Sequence, residues 1–343
     1  MTARHAILYF FLMDENQPVR GRTFIHHDGA LGDMLLSLPC IGAIRAGAGH
    51  VHLAGRSDVV KLMKETGYAD GISFADSVLY SPLYAASTEG KTGEFLAQFD
   101  RAFLFTSRGD SPLAASLGRV IPCMRTILTI PPADVRKHVA EFRFEQAWGG
   151  SGREHPYPVL EIPPASVARA EDLLAGAGYK RGRDRLVAIH PGSGGRKKCW
   201  PLESYFALAE RVRQEHGTFL LFLSGPAEDT EKRERIRDFV RSRDRSLLIP
   251  GEELVVVAAL LSSCTLYIGN DSGVTHLAAA VGGECIALFG PTDPYLWRPV
   301  GLRAQVIDAG YPCDSLSSLP VDEVYTRVAA VLGSSQFRAS ILQ

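Results

Sequence analysis

The chain predicts an α/β protein built from two doubly wound, Rossmann-like domains with parallel sheets. Three observations carry this reading. Short apolar strand patterns alternate with amphipathic helix patterns across residues 22–148. A glycine- and proline-rich stretch then interrupts the alternation, and a second alternating series runs over residues 186–289. Alternation of this kind favours a parallel sheet covered by helices, and 343 residues suffice for two cores.

In the first series, residues 22–26 form a strand pattern, followed by the turn His27-Asp28-Gly29-Ala30-Leu31-Gly32-Asp33. A helix over 33–46 carries Leu35, Leu38 and Ile41 and is expected to kink at Pro39. Strands follow at 50–54, 72–74, 101–106 and 125–130, with helices at 57–66, 111–117 and 135–148; residues 76–98 read as loop plus a helix. Gly149-Gly150-Ser151-Gly152 and Pro156, Pro158, Pro163 and Pro164 mark the break, with a helix at 166–177 after it. The second series has strands at 186–190, 218–223, 247–249, 265–268 and 285–289. Helices lie between them at 202–215, 229–240, 252–261 and 274–281, the first with Tyr205, Leu208, Ala209 and Val212 on one stripe. A last helix covers 321–331. No repeat of 20–50 residues is present.

Hydrophobic residues make up 46% and charged residues 22%, and the formal net charge is −1, which argues against nucleic acid as a partner. The six cysteines are scattered without a C-x-x-C pair, a pattern of reduced thiols rather than of disulfides or zinc. No apolar run approaches the ~18 residues that span a bilayer. The apolar run at 6–13 is short, enters Asp14-Glu15-Asn16 and lacks a small-residue cleavage site, so a cytoplasmic protein is expected.

Polar loops end successive strands of the second series. His190-Pro191-Gly192-Ser193-Gly194-Gly195-Arg196-Lys197-Lys198 pairs glycines with a mobile cation but does not fit G-x-x-x-x-G-K-[ST]. Ser224-Gly225-Pro226-Ala227-Glu228 brings a carboxylate suited to a ribose hydroxyl pair, and Pro250-Gly251-Glu252 follows the third strand. Gly269-Asn270-Asp271-Ser272-Gly273 opens a helix with several possible caps, and His276 projects from its first turn. Each loop alone reads equally as an ordinary turn. Four together, with a helix start able to hold an anion, suggest a nucleotide diphosphate. In the first series Asp33 reads either as a base for a bound hydroxyl or as a carboxylate satisfying a helix dipole.

Three motifs, in order, resemble the heptosyltransferase family, glycosyltransferase family nine. The first is Gly32-Asp33-Met34-Leu35-Leu36-Ser37-Leu38-Pro39 with Ala43-Ile44-Arg45. The second is His190-Pro191-Gly192-Ser193 with Lys198-Cys199-Trp200-Pro201 and Phe206-Ala207-Leu208-Ala209. The third is Gly269-Asn270-Asp271-Ser272-Gly273 with His276-Leu277-Ala278-Ala279-Ala280, then Ala287-Leu288-Phe289-Gly290-Pro291-Thr292 and Trp297-Arg298-Pro299. The resemblance implies a GT-B fold, two Rossmann-like domains facing a central cleft. It also implies inverting, metal-independent transfer of a heptose from ADP-heptose to a lipopolysaccharide inner-core acceptor, without a cofactor. By position Asp33 is the general base. Lys198 and the Asp271-Ser272-Gly273 turn, with His190, Gly192 and Ser193 beside them, hold the donor diphosphate, and His276 supports the turn. Glu228 binds the ribose, and the loop at Glu252 offers backbone to the adenine.

The implied division is 1–160 for an acceptor-binding domain, with 1–20 a peripheral extension, and 161–184 for a linker and connecting helix. Residues 185–320 form the nucleotide-sugar domain, and 321–343 a helix and tail open to packing on the first domain. An acceptor of this kind implies peripheral contact with the inner membrane surface. The chain departs from the family at His27, where an arginine often stands, and His27 and Asp28 are therefore candidates for an altered acceptor site. Residues 101–143 hold seven basic residues (Arg101, Arg108, Arg119, Arg125, Arg136, Lys137, Arg143) against Asp110, Asp134 and Glu141, a local charge of +4. Arg108 and Arg136 are candidates for acceptor phosphates or acid sugars, and a solvated arginine-rich surface is the alternative. A nucleotide-sugar epimerase and a non-catalytic nucleotide-sugar-binding relative remain competing readings of the same motifs.

Overall fold

The computed structural model describes residues 21–85, 87–108, 112–148, 157, 159–225 and 228–339. The extension at 1–20 and most of the glycine/proline break lie outside these residues. The chain divides into two compact units, residues 1–158 and 159–343.

In the first unit five strands, β1 (Arg22–His27), β2 (His50–Gly55), β3 (Gly71–Phe74), β4 (Arg101–Thr106) and β5 (Cys123–Leu128), form a sheet in the order β3-β2-β1-β4-β5. Every ladder is parallel. The chain winds outward from β1 to β3, then crosses over to lay β4 on the other side of β1. Connections after β1 and β4 therefore leave in opposite directions, and a crevice opens at their carboxyl ends. The turn that carries Asp33 starts there.

The second unit repeats the plan with six strands: β6 (Leu186–His190), β7 (Phe219–Leu223), β8 (Ser246–Ile249), β9 (Leu266–Asn270), β10 (Cys285–Phe289) and β11 (Ala304–Asp308). Their order is β11-β10-β9-β6-β7-β8, and again every pairing is parallel. β6, β7, β9 and β10 are buried along their full length, as expected of strands covered on both faces. The winding reverses between β6 and β9, so the His190 loop and the Asn270–Gly273 turn emerge side by side.

Several boundaries differ from the sequence reading for physical reasons. The helix expected to kink at Pro39 is two helices, Leu31–Leu36 and Leu38–Ala46, separated at Ser37. Proline cannot donate to the preceding turn but fits the start of a new one, so the break falls before it. β5 begins at Cys123 rather than 125, and the following helix at Val139 rather than 135. β11 was not anticipated; it is a half-exposed edge strand with little apolar pattern to reveal it. The helix Val321–Ala339, which the sequence left open to packing on the first unit, packs on Leu202–His216 within the second. Among the described residues no helix is long and apolar enough to cross a membrane.

Trp200 joins core to site. It is 1% exposed and stands edge-on to Tyr205 at 4.9 Å. Its indole N–H donates to the Leu319 carbonyl at 2.9 Å. Trp200→Ala should cost about 3–5 kcal/mol, read as a lowered urea midpoint at unchanged slope.

Candidate active site

At the reversal point of the second unit the residues named from the motifs are knitted by buried polar bonds. Asn270, at the end of β9, is fully buried. Its Oδ1 accepts from the Trp200 N–H and the Tyr205 hydroxyl, both at 2.9 Å, and its Nδ2 donates to the Pro191 carbonyl at 2.8 Å. The Ser193 hydroxyl donates to the Asp271 carbonyl at 2.7 Å. These bonds fasten the loop after β6 to the turn after β9. The motif contains Asn270, but sequence reasoning assigned it no part, because an asparagine in a glycine-rich turn reads as a turn former.

The bonds also deliver a cation to a helix start. Lys198 Nζ lies 2.7 Å from Asp271 Oδ2. Ser272 caps the Gly273–Ala280 helix, accepting from the Thr275 N–H at 3.4 Å. The first amides of a helix have no acceptor inside it, and they carry the positive end of the dipole. Asp271 is 9% exposed, and burial pushes its carboxyl up. The His276 ring, 3.8 Å from Oδ1, and the Lys198 ammonium outweigh burial and leave it at about 2. Asp271 is therefore an anion that anchors Lys198 and His276. An anion there would repel a phosphate, so of the residues expected to hold a diphosphate the Asp271 carboxylate is not one.

Behind the loop, His190 Nε2 lies 3.2 Å from Glu228 Oε1 and His190 Nδ1 lies 3.4 Å from the Ser272 hydroxyl. Glu228 Oε2 accepts from the Gly225 N–H at 2.6 Å. Burial raises the Glu228 carboxyl, but His190, the Gly225 amide and Lys232 together hold it below its ordinary value. Gly192 leaves room for this pair: a Cβ would lie 1.6 Å from Glu228 Oε1 and 2.8 Å from His190 Nε2, so these side chains would have to shift. The Glu228 side chain is only 1% exposed. The expected ribose carboxylate thus faces inward and supports the loop. Glu252 is engaged with Arg169 at 3.1 Å.

In the first unit Asp33 sits in the first turn of Leu31–Leu36, and its side chain is 41% exposed. Beneath it lies Arg143, fully buried on the Val139–Trp148 helix. Its guanidinium donates to Asp33 Oδ1 at 3.2 Å, the Asp33 carbonyl at 2.6 Å, the Ser37 hydroxyl at 2.8 Å and the Thr129 carbonyl at 2.8 and 3.0 Å. Burial lowers the Arg143 pKa and Asp33 opposes the shift. His27 is buried beside this network, where desolvation and the Arg143 charge hold its pKa down at about 3. Its Nδ1 accepts from the Gly29 N–H at 3.2 Å, so the neutral ring donates from Nε2 to Ser37 Oγ at 3.0 Å. Ser37 donates in turn to the Asp33 carbonyl at 3.0 Å, which uses every bonding position of its hydroxyl. A Cβ on Gly29 would press against His27 and Asp33 at 2.7 and 2.8 Å.

The acceptor expectations need correction. His27 is 1% exposed and braces Asp33 from behind, so it cannot meet an acceptor. The basic stretch 101–143 does not gather into one surface. Arg101 is bonded to Thr23 Oγ1 at 2.7 Å at the amino end of β4, away from Asp33, and Arg143 is interior. Lys137 pairs with Glu145 at 2.6 Å. Arg108 and Arg136 are exposed, Arg108 just past the carboxyl end of β4, and Asp28 is exposed after β1; Asp110 lies outside the described residues. Sequence reasoning missed Arg143 as Asp33's partner, since 110 residues separate them and only the fold brings them together.

The sequence profile of glycosyltransferase family 9 (heptosyltransferase) matches residues 134–318. The chain is 29% identical over 181 residues to the lipopolysaccharide heptosyltransferase 2 of Salmonella typhimurium, covering 51% of each protein. It is 32% identical over 154 residues to the lipooligosaccharide heptosyltransferase 2 of Haemophilus influenzae, covering 44% of each. The matched part spans about half the length of these relatives. Over 92% of this chain and 99% of the other, the fold superposes on Escherichia coli ADP-heptose lipopolysaccharide heptosyltransferase II with a TM-score of 0.74 at 16% identity. A family 9 glycosyltransferase from Veillonella parvula gives 0.73 at 19% identity, over 93% and 99%. These likenesses establish a shared GT-B fold.

Arg143→Met should destabilise the protein by about 3 kcal/mol, the low end for breaking a buried pair because Asp33 can rehydrate. The measurement is urea unfolding, and an unchanged midpoint would contradict a structural role for the guanidinium.

Proposed function

We propose that this chain, which belongs to glycosyltransferase family 9, is an inverting, metal-independent glycosyltransferase. It moves a heptose from ADP-heptose to a lipopolysaccharide core or related glycan acceptor, in the cytoplasm at the inner membrane surface. The observation that carries this reading is Lys198 held 2.7 Å from Asp271 beside the start of the Gly273–Ala280 helix. That is a preorganised sink for the charge that grows on a departing diphosphate.

Inversion requires a base and an anion sink, and Asp33 is the candidate base and Lys198 with its helix start the candidate sink. Arg143 pins one oxygen of Asp33 and leaves the exposed carboxylate to accept a hydroxyl proton. A carboxylate is a weak base, so it takes the proton late, as attack on an oxocarbenium-like centre acidifies the hydroxyl. Positioning and leaving-group stabilisation then supply more of the rate than basicity. A binding-only relative would have no use for a carboxylate braced this firmly, which favours the catalytic reading.

The experiment is a transfer assay with ADP-heptose in EDTA, in which turnover should persist. Asp33→Asn should lower kcat by about 10²–10⁴-fold with ADP affinity nearly intact; undiminished turnover would remove Asp33 as the base. Lys198→Ala should weaken ADP binding about tenfold or more, the loss expected for a charge-assisted bond. Equal ADP affinity in parent and variant, by calorimetric titration, would contradict its role.

A further inference from the structure

Asp33 stands on a helix of six residues, Leu31–Leu36, that stops at Ser37 because Pro39 has no N–H to continue it. So short a helix does not keep its shape on its own backbone bonds, yet a base must meet its proton in a fixed geometry. The Asp33 carboxylate is half-exposed, and the bond it accepts from Arg143 is long at 3.2 Å. The firmer hold is on the backbone. The Asp33 carbonyl accepts from Arg143 Nη1 at 2.6 Å, from the Ser37 hydroxyl at 3.0 Å and from the Ser37 N–H at 3.1 Å.

Ser37 is fully buried, and its neighbours decide which way its hydroxyl points. His27 Nδ1 accepts from the Gly29 N–H, so Nε2 carries the ring proton and donates to Ser37 Oγ. Arg143 Nη1 donates to the same oxygen. With both lone pairs taken, the hydroxyl proton turns to the Asp33 carbonyl. The His27 ring packs 4.8 Å from Phe105, which fixes it in place. A second cation beside the buried Arg143 would be costly; a neutral imidazole supplies an oriented donor without charge.

We propose that His27 and Ser37 are positioning residues for the transfer. Through the Ser37 hydroxyl, the His27 ring fixes the backbone from which the Asp33 carboxylate reaches the acceptor hydroxyl. The inference rests on the glycosyl-transfer reading above and adds to it two residues that touch neither sugar. The departure from the family at His27 therefore changes how the base is held, not which acceptor is met.

The test is steady-state transfer by the full chain from ADP-heptose to a lipopolysaccharide core stripped of its heptoses, with ADP affinity measured by calorimetry. His27→Phe keeps the ring against Phe105 but loses the donor, and kcat should fall about tenfold, the effect of one oriented hydrogen bond. KM for ADP-heptose and ADP affinity should not change. Ser37→Ala should lose at least as much, and His27→Phe/Ser37→Ala no more than Ser37→Ala, because the histidine acts through the serine. His27→Gln, whose amide extends to Ser37, should recover most of kcat, whereas His27→Asn, long enough only for Gly29, should not. This pair tests the same bond if the phenyl ring is not accommodated. His26→Phe, the same exchange on the opposite face of β1 against Tyr80, should keep the parent kcat. Parent kcat in His27→Phe, additive losses in the double variant, equal kcat in the Gln and Asn variants, or ADP affinity falling with kcat would each overturn the inference. With the parent protein active, such a result overturns the positioning role alone; absence of transfer by the parent would overturn the glycosyl-transfer reading itself.

Discussion

Parallel pairing is the constraint on which the rest of this structure depends. Every ladder in both sheets is parallel. Each strand must therefore be followed by a return crossing over the sheet, and each loop that leaves a carboxyl end emerges at the same edge. Where the winding reverses, two loops distant in sequence are set side by side. In the first unit the reversal lies between β1 and β4, beside Asp33; in the second it lies between β6 and β9, beside Lys198 and Asp271.

The two units use buried polarity differently. In the second, one amide side chain, Asn270, satisfies two groups of the loop after β6 and the Tyr205 hydroxyl of the helix that follows it, and a carboxylate holds a lysine at a helix start. In the first, a fully buried arginine holds the backbone and side chain of one aspartate, with Ser37 and a neutral histidine completing the set. A buried charge is tolerated only when its bonds are made, and Arg143 makes all of its bonds to groups around Asp33 and Thr129. The same logic separates the arginines of residues 101–143. They look alike in sequence, yet one is interior, one braces the far end of β4 and others are exposed.

Strand and helix alternation, the two sheets and the motif loops were legible in the sequence, because apolar runs and amphipathic stripes report burial directly. Residues whose roles rest on local turn chemistry, such as Ser272 capping its helix, were legible too. Glu228 and His27 were not. Their types suit ligand contact as well as interior support, and nothing local distinguishes a carboxylate facing solvent from one turned under Gly192. β11 and the true start of β5 escaped because half-exposed edge strands carry little periodicity.

The sequence by itself determined the fold class, the placing of polar loops at strand ends, and the candidate base and phosphate lysine, since each follows from short-range pattern and residue chemistry. The tertiary structure alone decided which side chains face a ligand. It also decided that Arg143 lies beneath Asp33, and that His27 braces this aspartate from the interior. Those outcomes depend on which distant strands the winding makes neighbours, and no local pattern records that.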